Sequence, residues 1–238
     1  MENYKKNLHL LKENNVYSED MEHDACGVGI IASTEGKKSR KVVEYGIEAL
    51  KAVWHRGAVD ADGKTGDGAG IHVEIPKDFF IEKIEVTGHT HDNSEICVGM
   101  IFLPRNDYAA QESCKTIVES ELTKNDFSIY GWRQVPVNPK VLGEKAFQTM
   151  PEIIQVLFKP YNPELTNKDL ERKIYETRRK IENEAFKKSL NNFYICSLSS
   201  KSIIYKGMFL AEAISEFYLD LKDERFVSRF AIFHQRFS

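Results

Sequence analysis

At 238 residues, with 42% hydrophobic side chains and a formal net charge of −3, the chain has enough apolar material for one large mixed domain and no charge extreme. That balance argues against a nucleic-acid-binding surface as the main function, and no apolar run approaches the roughly 18 residues needed to span a bilayer. Cys26, Cys97, Cys114 and Cys196 form neither a C-x-x-C pair nor a metal-ligand spacing, which predicts reduced thiols in a cytoplasmic protein without a metal site.

Residues 1–25 are polar and acidic, with Glu13, Glu19, Asp20, Glu22 and Asp24 among them, and they lack the apolar segment of a secretory signal. They read as a removable leader. Val28–Ala32 follows as a short apolar run and predicts a fully buried strand, with Cys26 at its mouth. Between Arg40 and Trp54, the residues Val43, Ile47, Leu50 and Trp54 fall at helical spacing, and Gly57 is a stop for that helix. The run from Asp60 to Gly70 is too rich in Gly and Asp for a regular element and predicts a loop, after which Ile71–Ile75 reads as a strand ending at Pro76. Beyond Pro76, strands are predicted at Ile96–Leu103, Phe127–Val137, Ile153–Phe158, Phe193–Leu198, Ser202–Tyr205 and Phe226–Phe233. Helices are predicted at Tyr108–Leu122 and Asn167–Lys188, the latter with Leu170, Ile174, Ile181 and Phe186 as its sparse apolar contacts and a solvated charged face. The last strand runs into His234-Gln235-Arg236-Phe237-Ser238, an ending that suggests a missing continuation.

Several motifs fail on context. Gly63-Lys64-Thr65 matches the end of a phosphate-binding loop, but Ala58 stands where that loop needs glycine, and Gly66, Gly68 and Gly70 oppose the helix that must follow. Gly27-Val28-Gly29-Ile30-Ile31-Ala32 satisfies G-x-G-x-x-A, yet a dinucleotide fingerprint follows a strand and opens a helix, and here strand residues follow instead. The histidines show no ligand spacing, and no G-x-S-x-G elbow is present. The chemistry therefore rests on Cys26 or nowhere. With the leader removed, Cys26 would carry a thiol of pKa ~8.5 and an α-amine of pKa ~8 on one residue, a compact nucleophile and base. Taken alone, Cys26 also reads as a small core cysteine.

Three pieces taken together, Asp24-Ala25-Cys26-Gly27-Val28-Gly29, Trp54-His55-Arg56-Gly57-Ala58 and Asp62-Gly63-Lys64-Thr65-Gly66-Asp67-Gly68-Ala69-Gly70, closely resemble in order and separation the start of glutamate synthase large subunits. The terminal Phe233-His234-Gln235-Arg236-Phe237-Ser238 resembles that family's substrate-binding strand, so the likeness runs from the leader to the last residue. The resemblance implies a class II glutamine amidotransferase domain over residues 26–238, with an α+β fold: the four-layer αββα sandwich of N-terminal-nucleophile hydrolases, incomplete at its C-terminal side. It implies that Cys26 attacks the side-chain amide of glutamine after leader removal. Arg236 would receive the glutamine α-carboxylate, a task suited to a planar bidentate donor; its alternative is a strand-end arginine in a surface ion pair. Arg56 and Gly57 would lie beside the nucleophile and help hold it, their alternative being an ordinary helix C-terminus.

The resemblance also implies partners that this chain does not supply. Ammonia would pass to a synthase region further along, where FMN and an iron–sulfur cluster serve the reductive amination of 2-oxoglutarate, with electrons from a small subunit or ferredoxin. No cofactor is expected in the chain itself. The family's oxyanion donors come from an Asn-Gly pair downstream, and no Asn-Gly occurs in these 238 residues, so little glutaminase activity is expected of this chain by itself. Two other functions fit less of the pattern: an amidotransferase feeding a sugar-phosphate or phosphoribosyl acceptor, and an inert remnant serving as a binding module.

Overall fold

In a computed structural model, the structure describes residues 2–14, 18 and 27–236. Cys26 lies outside the described residues, as do Phe237 and Ser238. Near the start of the chain, helix α1 (Glu2–Glu13) is exposed along most of its length. The remainder builds two four-stranded antiparallel sheets.

Sheet I has the order β1-β8-β2-β7, made of β1 (Gly27–Ala32), β8 (Phe230–Gln235), β2 (Thr65–Glu74) and β7 (Ser202–Phe209). Sheet II has the order β4-β5-β3-β6, made of β4 (Phe127–Gln134), β5 (Glu152–Pro160), β3 (Cys97–Leu103) and β6 (Tyr194–Ser199). Helix α2 (Arg40–Ala52) lies on β8 and β1, whereas α4 (Tyr108–Lys124) and α6 (Asn167–Lys187) lie on sheet II. Residues 97–199 thus form a βαββαβ unit with the strand order of a split βαβ module. Mixed helices against two antiparallel sheets are the α+β sandwich class expected from the sequence.

Local chemistry explains where these helices start. Ser39, Asp107 and Thr166 cap α2, α4 and α6 by accepting from the backbone N–H groups of Lys41, Ala110 and Asp169. Glu171 of α6 then clamps the turn between β6 and β7, accepting from Ser199 Oγ at 3.0 Å, Ser200 N at 2.7 Å and Ser200 Oγ at 2.7 Å. Because β6 closes sheet II and β7 closes sheet I, that clamp fixes the joint between the sheets.

One core fills the space among α2, α3 (Lys77–Val86) and the two sheets, through Ile47, Ile71, Phe79, Met100, Tyr205 and Phe233. A second joins sheet II to α4 and α6 through Ile101, Val118, Phe158, Ile174 and Ile181. A buried polar cluster crosses the first core. Arg133 of β4 donates to both Asp220 oxygens at 2.6 and 2.8 Å and to Gln155 Oε1 at 2.7 Å, while Tyr205 donates to Asp220 at 3.0 Å.

Several expectations are corrected. β1 is half exposed rather than fully buried, with Val28 at 66% and Ile30 at 62% exposure, because α2 covers one face of sheet I only near this edge. The Gly-Asp run is a loop only as far as Lys64: from Thr65 it is strand, since pairing with β7 and β8 overrides the poor strand propensity, and Gly68 takes φ +124° at the irregularity in the β2–β7 register. Phe186 is exposed because the apolar stripe of α6 runs through Leu170, Ile174, Thr177, Ile181 and Ala185, one residue away. Trp54 falls off the α2 stripe because that helix ends at Ala52 and a short 3-10 turn follows. The fourth strand stops at Gln134, before Val135-Pro136, and the last begins at Phe230 rather than Phe226, whose ring packs in the core. Helix α3 and the short helices α5 (Glu144–Gln148) and α7 (Ile214–Phe217) were not anticipated.

Candidate active site

One end of sheet I gathers the residues singled out in the sequence. Gly27, the neighbour of Cys26, pairs with Gln235, and Gln235 pairs on its other side with Ala69. Paired residues share a face, so the Gln235 side chain points with Ala69 into the covered side of the sheet. The turn after α2 closes over the same spot. Trp54–Arg56 forms a 3-10 turn, tied by Arg56 N–H donating to Val53 O at 2.9 Å and Gly57 N–H donating to Trp54 O at 3.0 Å. A β-carbon on Gly27 would sit 3.1 Å from Val53 Cγ2 and 3.2 Å from Arg56 Cβ. At Gly57 a β-carbon would lie 2.2 Å from Gln235 Nε2, so only glycine lets the loop meet the buried amide.

Arg236 follows Gln235 with a left-handed backbone, φ +91°, unusual for a residue with a side chain. Its N–H donates to Gly68 O at 2.8 Å, which anchors it beyond the end of the β8 ladder. Its Nε lies 3.2 Å from Asp67 Oδ2. That is close enough for charge attraction, but both Asp67 oxygens remain buried without a hydrogen bond among the described residues. The Asp67 N–H donates to Ala58 O at 3.2 Å, and Val59 bridges to Gly66, so the strand carrying Asp67 is stitched to the chain leaving Gly57. Arg56, Gly57 and Arg236 are thus brought to the end of the sheet where β1 begins.

The Gly-Asp segment before Thr65 serves this architecture. Asp62 accepts from the backbone N–H groups of Lys64 and Thr65 and from Thr65 Oγ1, and these hydrogen bonds, the hydroxyl's first, hold its carboxyl well below the usual carboxylate range. Lys145 of α5 reaches Asp60 at 2.7 Å and fastens the loop from outside. A cavity of about 920 Å³ opens beside the site, with Asp67, Phe102, Arg105, Tyr194 and Lys206 among its lining.

The remaining described thiols are unsuited to nucleophilic work. Burial pushes Cys114 up to about 11 and Cys196 up to about 12, and it raises Cys97 well above its ordinary value. His234 and His72 are half-buried on the opposite face of sheet I. Burial lowers the His234 pKa, helped by Lys206, and burial alone lowers that of His72.

A sequence profile of the class-II glutamine amidotransferases matches residues 26–238, beginning at Cys26. The chain belongs to that family. It is 54% identical over 99% of its length to the glutamate synthase [NADPH] large chain of Azospirillum brasilense, of which it spans 15%. It is 39% identical over 97% of its length to the chloroplastic ferredoxin-dependent glutamate synthase of Spinacia oleracea, spanning 14% of that protein. A chloroplastic/mitochondrial ferredoxin-dependent glutamate synthase of Arabidopsis thaliana is 42% identical over 91% of the chain, which spans 13% of it. The chain therefore corresponds to about a seventh of the length of the relatives it matches.

Among the described residues no three His, Cys, Asp or Glu side chains gather into a metal-ligating group. No helix among the described residues is long and apolar enough to cross a membrane. Gln235 and Asp67 were not singled out from the sequence. Both lie inside recognised motifs, but their unpaired burial is a property of packing that no motif spells.

Proposed function

We propose that this chain is the glutaminase part of a glutamate synthase, and that within the full-length protein it acts once residues 1–25 have been removed. The observation that carries the reading is the meeting of Gly27, the Arg56–Gly57 turn and the Gln235–Arg236 strand end at one corner of sheet I, with buried polar groups still unpaired. In this reading the free α-amine of Cys26 takes the thiol proton, and the thiolate attacks the side-chain amide carbon of glutamine. The tetrahedral adduct expels ammonia, which leaves with the transferred proton, and water then hydrolyses the γ-glutamyl thioester to glutamate and the free thiol. Arg236 orients the substrate by pairing its guanidinium with the glutamine α-carboxylate, a planar match for which Asp67 holds the arginine in place. Arg56 and Gly57 close the wall beside the N-terminal residue.

The ammonia then serves a synthase region in the rest of the longer parent, where FMN and an iron–sulfur cluster carry the reductive half and a small subunit or ferredoxin delivers electrons. The names of the relatives, an [NADPH] large chain and a ferredoxin-dependent glutamate synthase, support the synthase role and an outside supply of electrons. The test is to treat the full-length protein with a glutamine-derived diazoketone, map the adduct and sequence the mature N-terminus. The expected result is one adduct, on Cys26, in a chain that begins at Cys26. An adduct on Cys97, Cys114 or Cys196, or a mature chain that keeps its leader, would overturn the reading.

A further inference from the structure

Gln235 is wholly buried, and neither its Nε2 nor its Oε1 has a hydrogen-bond partner among the described residues. A buried amide left unpaired forfeits its hydration without return, so such a group in a native fold calls for an explanation. Its position supplies one. It stands in register with Gly27, one residue from the nucleophile, and its amide occupies the space that a side chain at Gly57 would fill.

We infer that Gln235 is a positioning residue: its side-chain carbonyl accepts a hydrogen bond from the α-amine that Cys26 acquires when the leader is cut, and so holds that amine as the base beside the thiol. This rests on the glutaminase reading above. While residues 1–25 are attached, the backbone nitrogen of residue 26 is a peptide amide with one N–H. Cleavage turns it into an amine with two, or three when protonated, and so creates a donor for the waiting carbonyl. The role belongs to Gln235 rather than to its neighbours because β8 alternates: His234 turns to the other face, where a β-carbon on Gly70 would meet its ring, and Arg236 is drawn to Asp67.

The charged and titratable groups around this corner are His55 and Arg56 from the 3-10 turn, Asp67 from β2 and Arg236 after β8, with His234 and Lys206 on the opposite face. Burial, helped by Lys206, keeps the His234 pKa below that of an ordinary histidine, away from an α-amine near ~8.

The test follows the rate of Cys26 alkylation by the glutamine-derived diazoketone against pH, with kcat and KM for glutamine, in the mature full-length enzyme and its Gln235→Leu, Gln235→Met and Gln235→Glu variants. Losing the acceptor disfavours the ammonium form, so the acid limb in Gln235→Leu and Gln235→Met should move down by about one pH unit, with kcat reduced and KM retained. A carboxylate favours the ammonium form, so the limb in Gln235→Glu should move up by about the same amount. A packing role would not produce shifts of opposite sign. An unmoved limb in Gln235→Leu and Gln235→Met, or a change in KM alone, overturns the inference even if Gln235→Glu fails to fold. A wild-type enzyme that takes no adduct on Cys26 overturns the glutaminase reading and this inference with it, whereas a labelled wild type with an unmoved limb overturns only the inference.

Discussion

Gln155 and Gln235 are both wholly buried strand residues, and they live in opposite circumstances. Gln155 accepts from Arg133 at 2.7 Å and donates to Tyr205 at 3.3 Å, inside a cluster closed by the two-pronged Arg133–Asp220 pair. Gln235 has neither bond among the described residues, and the Asp67 oxygens nearby are likewise buried without one. The first cluster has every need met within the chain and ties sheet II to sheet I. The second has needs that only another group can meet. Satisfied burial marks scaffold, and unsatisfied burial marks the place where, in the proposed glutaminase, a processed terminus and a substrate would bind.

The sharpest way to test the scaffold side is Arg133→Leu, which leaves Asp220 buried without its cation. Such a loss costs about 3–5 kcal/mol, read as a fall in the urea midpoint, and Arg133→Leu/Asp220→Leu should recover much of it. A single variant as stable as the parent would dissolve the distinction. Next in size is Gly57→Ala, whose β-carbon would stand 2.2 Å from Gln235 Nε2. Overpacking there should cost about 1–3 kcal/mol, largely relieved in Gly57→Ala/Gln235→Ala, so a double-mutant cycle by thermal unfolding should show strong coupling.

The two glutamines can be set directly against each other. Gln155→Leu should lower stability by about 1 kcal/mol through its lost hydrogen bonds, whereas Gln235→Leu in the chain that keeps residues 1–25 should leave stability unchanged or raise it, because it removes an amide that has no partner before cleavage. A larger loss at Gln235 would reverse the comparison. The smallest effect concerns pH. Glu74 accepts from Arg229 N at 2.6 Å and Nε at 2.9 Å and so pins the start of β8. Burial opposes its charge, but the Arg229 bonds outweigh that and hold its carboxyl below the ordinary 4.5. The native pKa is lowered, so the contribution is present above about pH 4.5 and is lost as pH falls through the native value. Glu74→Gln should flatten that part of the stability–pH curve, by under about 1 kcal/mol.

Much of the fold could be read from side-chain periodicity. The stripe of Val43, Ile47 and Leu50 announced α2, and the continuous run at Ile96–Leu103 announced a central strand. Pattern failed where pairing or covering was decided by distant chain. Nothing local in Thr65–Gly70 favours a strand, yet β7 and β8 flank it. Nothing in Val28-Gly29-Ile30 says that one face of β1 stays open. Helix α3 went unseen because Phe79, Phe80 and Ile84 cluster without a clean helical repeat. The site was legible only as a conjunction. Arg56, Gly57 and Arg236 are ordinary residues until the register of β1 on β8 sets them beside the neighbour of Cys26. Gln235 lies inside the terminal motif, but its side chain becomes conspicuous only when its surroundings are known.

The central claim is that this corner of sheet I serves a nucleophile at Cys26. The most direct measurement is to mix the mature full-length enzyme with glutamine, quench with acid during turnover, and locate the covalent intermediate by peptide mass. The account predicts one γ-glutamyl group, carried as a thioester on a peptide whose first residue is Cys26. Glutamine consumption with no acylated peptide at Cys26, or with the acyl group on any other cysteine, would contradict it.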